Sequence, residues 1–137
     1  MSLPDTAAMK DLVRAHYDAV INRFDPDAIR AQVASDYFDH QSGRAMSAED
    51  VIAHGQGLHA AFADLRVTLD DMIVEGDRVA VRATWRGVHV GPFRGFAPTG
   101  QRVVFSGIVF WRVRDGRVAE RWAEIDFSAL GAVAVAA

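Results

Sequence analysis

The sequence has no cysteine. That absence removes disulfides, thiolate nucleophiles, iron–sulfur clusters and thiolate zinc sites together, and leaves chemistry to carboxylates, histidines and hydroxyls. Positive charge is also in short supply: 15 Lys and Arg stand against 18 Asp and Glu, a net charge of −3. No broad basic face can neutralise phosphates, so nucleic acid is not an expected partner. No stretch approaches the roughly 18 unbroken apolar residues of a membrane span, and the amino terminus, MSLPDTAAMKDLVR, lacks a basic-then-apolar signal layout. The chain therefore reads as cytoplasmic, with no membrane partner.

Several site motifs are missing too. There is no Gly-Lys-Ser or Gly-Lys-Thr phosphate loop, the spacing from Gly91 to Gly100 fits no dinucleotide fingerprint, and no G-x-S-x-G elbow offers a serine nucleophile. The five histidines, His16, His40, His54, His59 and His89, include no H-E-x-x-H or H-x-H pair. His54 and His59 sit roughly 140° apart on a helix that turns about 100° per residue, so they cannot grip one ion together. These patterns predict neither a metal nor a cofactor.

What is present is one domain's worth of an ordinary globular chain: 137 residues, 50% hydrophobic and 24% charged. A chain of this size buries roughly two thirds of its unfolded surface, enough for a core and one small-molecule pocket. From about Pro4 to Phe24, apolar residues recur at three- and four-residue steps, the stripe of an amphipathic helix. Asp25-Pro26 opens a second helix, and Ser47-Ala48-Glu49-Asp50 opens a third as a capping box, ending near Ala63. The period then drops from 3.6 to 2. Strands are predicted over Leu65 to Glu75 and Arg78 to Gly87, joined by Gly76-Asp77, and over Arg102 to Arg114 and Arg117 to Phe127, joined by Asp115-Gly116. A short strand near Tyr37 to Gln41 joins them, residues 91–100 form a crossover loop, and the alanine-rich tail after about residue 131 frays. The expected fold class is α+β: three N-terminal helices packed on one face of a mostly antiparallel sheet, in a single domain over 1–137.

A two-residue turn at Asp115-Gly116 pairs residues whose numbers sum to 231, which assigns faces. One face holds Phe105, Gly107 and Trp111 with Trp122, Glu124 and Asp126; the reverse holds Ile108, Phe110 and Arg112 with Ile125 and Arg121. The first face combines aromatic walls with carboxylates, and a pocket is expected at the end far from the turn. There Gly107 opens space opposite Glu124 and Phe105 walls Asp126. Asp126 in such a hollow would have its pKa raised toward neutrality and serve as acid and base. The alternative is that Asp126 caps the turn after the last strand or pairs with an arginine. His40, on the short strand, and Tyr17, whose hydroxyl could hold a carbonyl oxygen, are further candidates, each with a plain packing alternative. Trp85, Trp111 and Trp122 suit an apolar lining. The reverse face is a candidate dimer surface.

The segments Phe62-Ala63-Asp64-Leu65, Glu75-Gly76-Asp77-Arg78-Val79, Gly87-Val88-His89-Val90-Gly91-Pro92-Phe93, Pro98-Thr99-Gly100 and Asp115-Gly116-Arg117-Val118-Ala119-Glu120-Arg121-Trp122 followed by Asp126 stand in one order and spacing along the chain. In these the chain resembles the SnoaL-like polyketide cyclases, of the superfamily that includes nuclear transport factor 2, ketosteroid isomerase, scytalone dehydratase and limonene epoxide hydrolase. The resemblance spans nearly the full length. It implies a cone-shaped α+β barrel, usually a homodimer, and an aspartate near the end of the last strand, here Asp126, catalysing an intramolecular aldol ring closure on a small apolar or aromatic carbonyl compound. It also makes Tyr17, His40, His54 and His89 candidate pocket residues. Arg112 is a departure: it lies on the hairpin strand before Asp126, where a second histidine of characterised cyclases finds no match. Isomerisation, dehydration, epoxide opening or a noncatalytic binding role are the alternatives in such a cone.

Overall fold

In the computed structural model of the chain, residues 5–131 are described. Helix α1 (Thr6–Tyr17) starts on the Asp5 side chain, which accepts the Ala8 amide, and continues into a π-helical turn over Asp18–Asn22, marked by the Arg23 amide bonding to the Asp18 carbonyl at 2.8 Å. The apolar stripe predicted as one helix is thus two windings, and Phe24, at φ 53, ends them. Helix α2 (Pro26–Gln32) has Asp25 as its cap with proline in the first turn; α3 (Ala48–Ala61) has the reciprocal capping box of Ser47 and Asp50. Each such cap contributes about 1 kcal/mol.

The strands are β1 (Val33–Asp39), β2 (Arg44–Ala45), β3 (Phe62–Glu75), β4 (Arg78–His89), β5 (Arg102–Arg114) and β6 (Arg117–Asp126). They form one curved, unclosed sheet in the order β2-β1-β6-β5-β4-β3, antiparallel except where β1 runs parallel to β6. The α+β cone is as the sequence implied. Strand β3 starts three residues earlier than expected, directly after α3, and the β1–β2 hairpin was not foreseen. The tail expected to fray after residue 131, and the start of the first helix at Pro4, lie outside the described residues.

The helices fill the concave face. Val13 and Ile29 from the helices and Val79, Val109 and Val118 from the sheet are all fully buried there. On the convex face Ile73, Val104, Ile108 and Phe110 remain exposed.

One detail of the last hairpin decides the site. Asp115 and Gly116 both have positive φ, 53 and 71, the pairing of a type I′ turn. The expected register holds for Arg114↔Arg117 and Val113↔Val118, then shifts by one: Arg112 pairs with Glu120, Trp111 with Arg121 and Gly107 with Ile125. Ala119 is the extra residue of a β-bulge, and because side chains alternate, the slip turns every later residue of β6 to the opposite face. Arg121, Ala123 and Ile125 therefore point into the cone, and Glu120, Trp122, Glu124 and Asp126 point out of it. Gly107 opens no space either. A Cβ there would lie 2.4 Å from the Glu124 carbonyl oxygen and 2.7 Å from the Ile125 Cα, so the missing side chain lets β6 close onto β5.

Candidate functional site

A cavity of about 90 Å³ opens between the helices and the sheet. Its walls are largely aromatic. Trp85 and Phe105, neighbours on β4 and β5, stack with ring centroids 5.8 Å apart, and Phe127, just past β6, packs 5.4 Å from Phe105. Ile125 lines the wall because the bulge turned it inward. The crossover after β4 closes one side: Phe93 packs edge-on against Phe62 and Phe127, and the Arg94 guanidinium lies 4.7 Å over the Phe127 ring.

Four elements bring polar groups to this cavity. From α1, Tyr17 is buried, and its oxygen accepts the indole N–H of Trp111 at 3.2 Å. Its own hydroxyl hydrogen is left to donate elsewhere. Burial pushes the phenol up to about 12, so it stays protonated at neutral pH. His16, on the same turn, is buried with Nδ1 2.8 Å from the Gln32 amide oxygen; desolvation brings it down to about 4, against the opposing pull of that hydrogen bond. From α3, His54 stands at the rim. The residue is exposed, yet enough of its ring packs against the cavity wall for desolvation, then the charge of Arg121, to lower its pKa. His54 is thus a neutral imidazole at pH 7.

Besides Arg94 on the crossover, the remaining polar groups come from β1, the turn that follows it, and β6. Tyr37 and Asp39 share the inward parity of β1 and are buried, and burial raises the Tyr37 phenol. Arg121 Nη1 donates to Asp39 Oδ1 at 3.2 Å and to Gln41 Oε1 at 2.8 Å, and its guanidinium lies 5.6 Å from the centre of the Trp111 ring. Asp39 is held from behind as well: its Oδ1 accepts the Gln41 amide at 3.0 Å and its Oδ2 the Ser42 hydroxyl at 2.9 Å. A buried carboxylate thereby fixes a half-buried guanidinium against an aromatic floor.

Of the residues the sequence pointed to, Tyr17, His54, Trp85, Phe105 and Trp111 line the cavity. The others do not. Asp126 is exposed on the convex face; its carboxylate accepts the Ser128 amide at 2.9 Å, and that hydrogen bonding holds its pKa below the ordinary value rather than above it. It caps the turn after the last strand, the alternative the sequence had left open. Glu124 is exposed beside it. Trp122 stacks on His40 at 4.6 Å on the same outer face, where His40 Nε2 lies 2.6 Å from Glu120, itself paired with Arg112. The parity of β1 explains His40: if Tyr37 faces the core, Asp39 does too and His40 cannot. His89 is fully buried and stacked on Phe62, away from the cavity, with neither ring nitrogen partnered. His16, Tyr37, Asp39, Gln41, Arg94 and Arg121 were not anticipated. Among the described residues no three His, Asp or Glu side chains gather closely enough to hold a metal ion, and no helix is long and apolar enough to cross a membrane.

A curved sheet folded over helices around an apolar cavity with a few converging polar groups is the architecture of nuclear transport factor 2-like proteins. Within that class, the family model of the SnoaL-like polyketide cyclases matches residues 11–132, and the chain belongs to that family. Solved structures agree. AclR from Streptomyces galilaeus, described as a candidate hydroxylase, is 31% identical with a TM-score of 0.80, the match covering 96% of this chain and 87% of AclR. TsrD from Streptomyces laurentii is 29% identical over 98% of this chain and 99% of its own, with a TM-score of 0.86. IdmH from Streptomyces antibioticus, described as a candidate polyketide cyclase, is 29% identical over 91% and 96%, with a TM-score of 0.78. No curated protein matches the chain by sequence.

Proposed function

We propose that the chain is a small-molecule enzyme of the cyclase type that enolises a carbonyl compound in this cavity and closes a ring by intramolecular aldol addition. The observation that carries the reading is the pairing of a neutral base with a protonated donor on one apolar cavity: His54 at its rim, and the Tyr17 hydroxyl whose oxygen is already occupied by Trp111. His54 takes a proton alpha to the carbonyl. The enolate oxygen that forms accepts the Tyr17 O–H, a donor that needs no reorganisation because the Trp111 bond already fixes the ring. The enolate carbon attacks a second carbonyl of the same molecule, and the imidazolium returns its proton to the new alkoxide. Protons balance, and the base is regenerated.

Asp126 has no part in this scheme, since its carboxylate points away from the cavity. The reading is tested without the natural substrate, by following hydrogen–deuterium exchange alpha to the carbonyl of an aromatic β-diketone by NMR in heavy water. Exchange should be accelerated by the protein and fall about 10²- to 10⁴-fold in His54→Ala and comparably in Tyr17→Phe, while Asp126→Asn leaves it unchanged. Retention of full exchange by both cavity variants, or its loss in Asp126→Asn, would overturn the assignment.

A further inference from the structure

Arg121 is the least expected residue of the cavity. Its side chain is only 13% exposed, and it reaches the interior solely because the bulge at Ala119 inverts the strand. Of its five N–H donors, those of Nη1 serve Asp39 and Gln41; among the described residues, Nε and Nη2 meet no protein acceptor. A planar fork with three hydrogens unclaimed and open to the cavity matches an oxyanion far better than a neutral carbonyl. Asp39 cannot compete for a ligand's cation, because the turn amide of Gln41 and the Ser42 hydroxyl occupy its oxygens alongside Arg121.

The charge balance of the cavity points the same way. The titratable side chains lining it are Asp39, Arg94, Arg121, His16, His54, Tyr17 and Tyr37. Burial holds the His16 imidazole neutral at pH 7, partial desolvation and the Arg121 charge lower the pKa of His54, and both phenols stay protonated. One carboxylate therefore faces two guanidiniums, and the excess is positive. Around them the walls are apolar and ring-shaped, with Trp85, Phe105 and Phe127 on one side and Trp111 beneath the guanidinium.

We propose that the ligand of this cavity is a planar, aromatic-sized molecule bearing an anionic oxygen, a carboxylate or an ionised enol, which seats on the free Nε–Nη2 edge of Arg121. The proposal rests on the cavity being the substrate site, and it names the class of substrate: an enolisable compound already carrying an acidic group. Arg121 is here a specificity-determining residue, with Asp39 and Gln41 positioning it.

Binding is measured by quenching of tryptophan fluorescence, Trp85 and Trp111 being cavity residues. Two matched pairs of probes serve: 2-naphthoate against its methyl ester for the carboxylate, and 4-hydroxycoumarin, ionised at neutral pH, against 4-methoxycoumarin for the enolate. The anion of at least one pair should bind tenfold or more tightly than its neutral partner, and the pair with the larger ratio identifies the source of the anionic oxygen. Arg121→Gln should abolish the preference. Because that variant leaves Asp39 buried without its partner, Asp39→Asn/Arg121→Gln is measured beside it as the form in which neither member of the pair is left charged and alone, and Arg94→Gln as the variant that removes the cavity's other guanidinium. Equal affinity within both pairs, or a preference that survives the double variant, overturns the proposal. Anion preference without α-proton exchange would remove the enzymatic reading and leave this subsite standing; exchange without anion preference does the reverse.

Discussion

Replacing Asp39 by Asn removes one charge and keeps the shape, because an amide oxygen can still accept the Gln41 backbone hydrogen and the amide nitrogen can donate to the Ser42 hydroxyl oxygen in place of the bond the carboxylate now accepts. What disappears is the ion pair with Arg121, at 3.2 Å and with side chains only 6% and 13% exposed. At that separation the gross attraction is about 5 kcal/mol for an effective dielectric of about 20. Removing one partner of a buried pair leaves the other charge uncompensated, at a cost of about 3–5 kcal/mol. With an unfolding entropy near 2.1 cal/mol/K per residue, the melting temperature of a chain this long should fall by about 10–17 °C. Thermal and urea unfolding of Asp39→Asn, Arg121→Gln and the double variant complete the cycle. The double variant should recover about 1–3 kcal/mol of the summed single losses, since neither group then remains buried and alone. A single-variant loss below about 1 kcal/mol, or strict additivity, would refute the claim that these two residues hold each other inside the cone.

Two further outcomes follow from the same coordinates. His16 has its pKa lowered from 6.5 to about 4, so between those values the unfolded chain binds a proton that the native chain refuses; stability is complete above pH 6.5 and declines by about 3 kcal/mol as the pH falls to 4. Urea titrations at pH 7 and pH 4 should show this part of the slope vanish in His16→Asn, and an unchanged slope would mean that the imidazole is not desolvated. Gly107→Ala should destabilise by about 1–3 kcal/mol through overpacking, because its Cβ falls 2.4 Å from a backbone oxygen that no rotamer can move; a melting temperature within a degree of the parent would show that β5 and β6 are not so closely apposed.

Much of the fold was legible because it is written in short-range chemistry. The Asp25-Pro26 and Ser47–Asp50 signals cap the helices where capping physics requires, and the Gly76-Asp77 and Asp115-Gly116 turns set strand ends to the residue. The inner face of β5, with Phe105, Val109 and Trp111 buried, follows from alternation alone. The site was less legible, since it depends on parity surviving through an entire strand. Its failure on β6 left a trace: Val118 and Ala119 are consecutive apolar residues, and both are buried. Two inward residues in succession are what a bulge requires.

Hydrophobicity argued against the correct arrangement at the next step, placing Trp122 inside and Arg121 outside. Each half of the true arrangement has a partner that makes it tolerable. Outside, Trp122 is covered by His40 at 4.6 Å and by the Arg78 guanidinium at 4.7 Å. Inside, Arg121 is neutralised by Asp39, a carboxylate whose own burial would otherwise be equally unfavourable. Neither inversion is explicable from its own strand. Asp39 ends β1 and His40 follows it with opposite parity, and β1 lies beside β6, so one two-residue step at the end of the neighbouring strand supplies both the outer cover for the tryptophan and the inner counter-charge for the arginine. Shifting β6 back by one residue would strand Arg121 against His40 and bury Asp39 unpaired, and for that reason the bulge and the Asp39-His40 dipeptide have to be read as one feature.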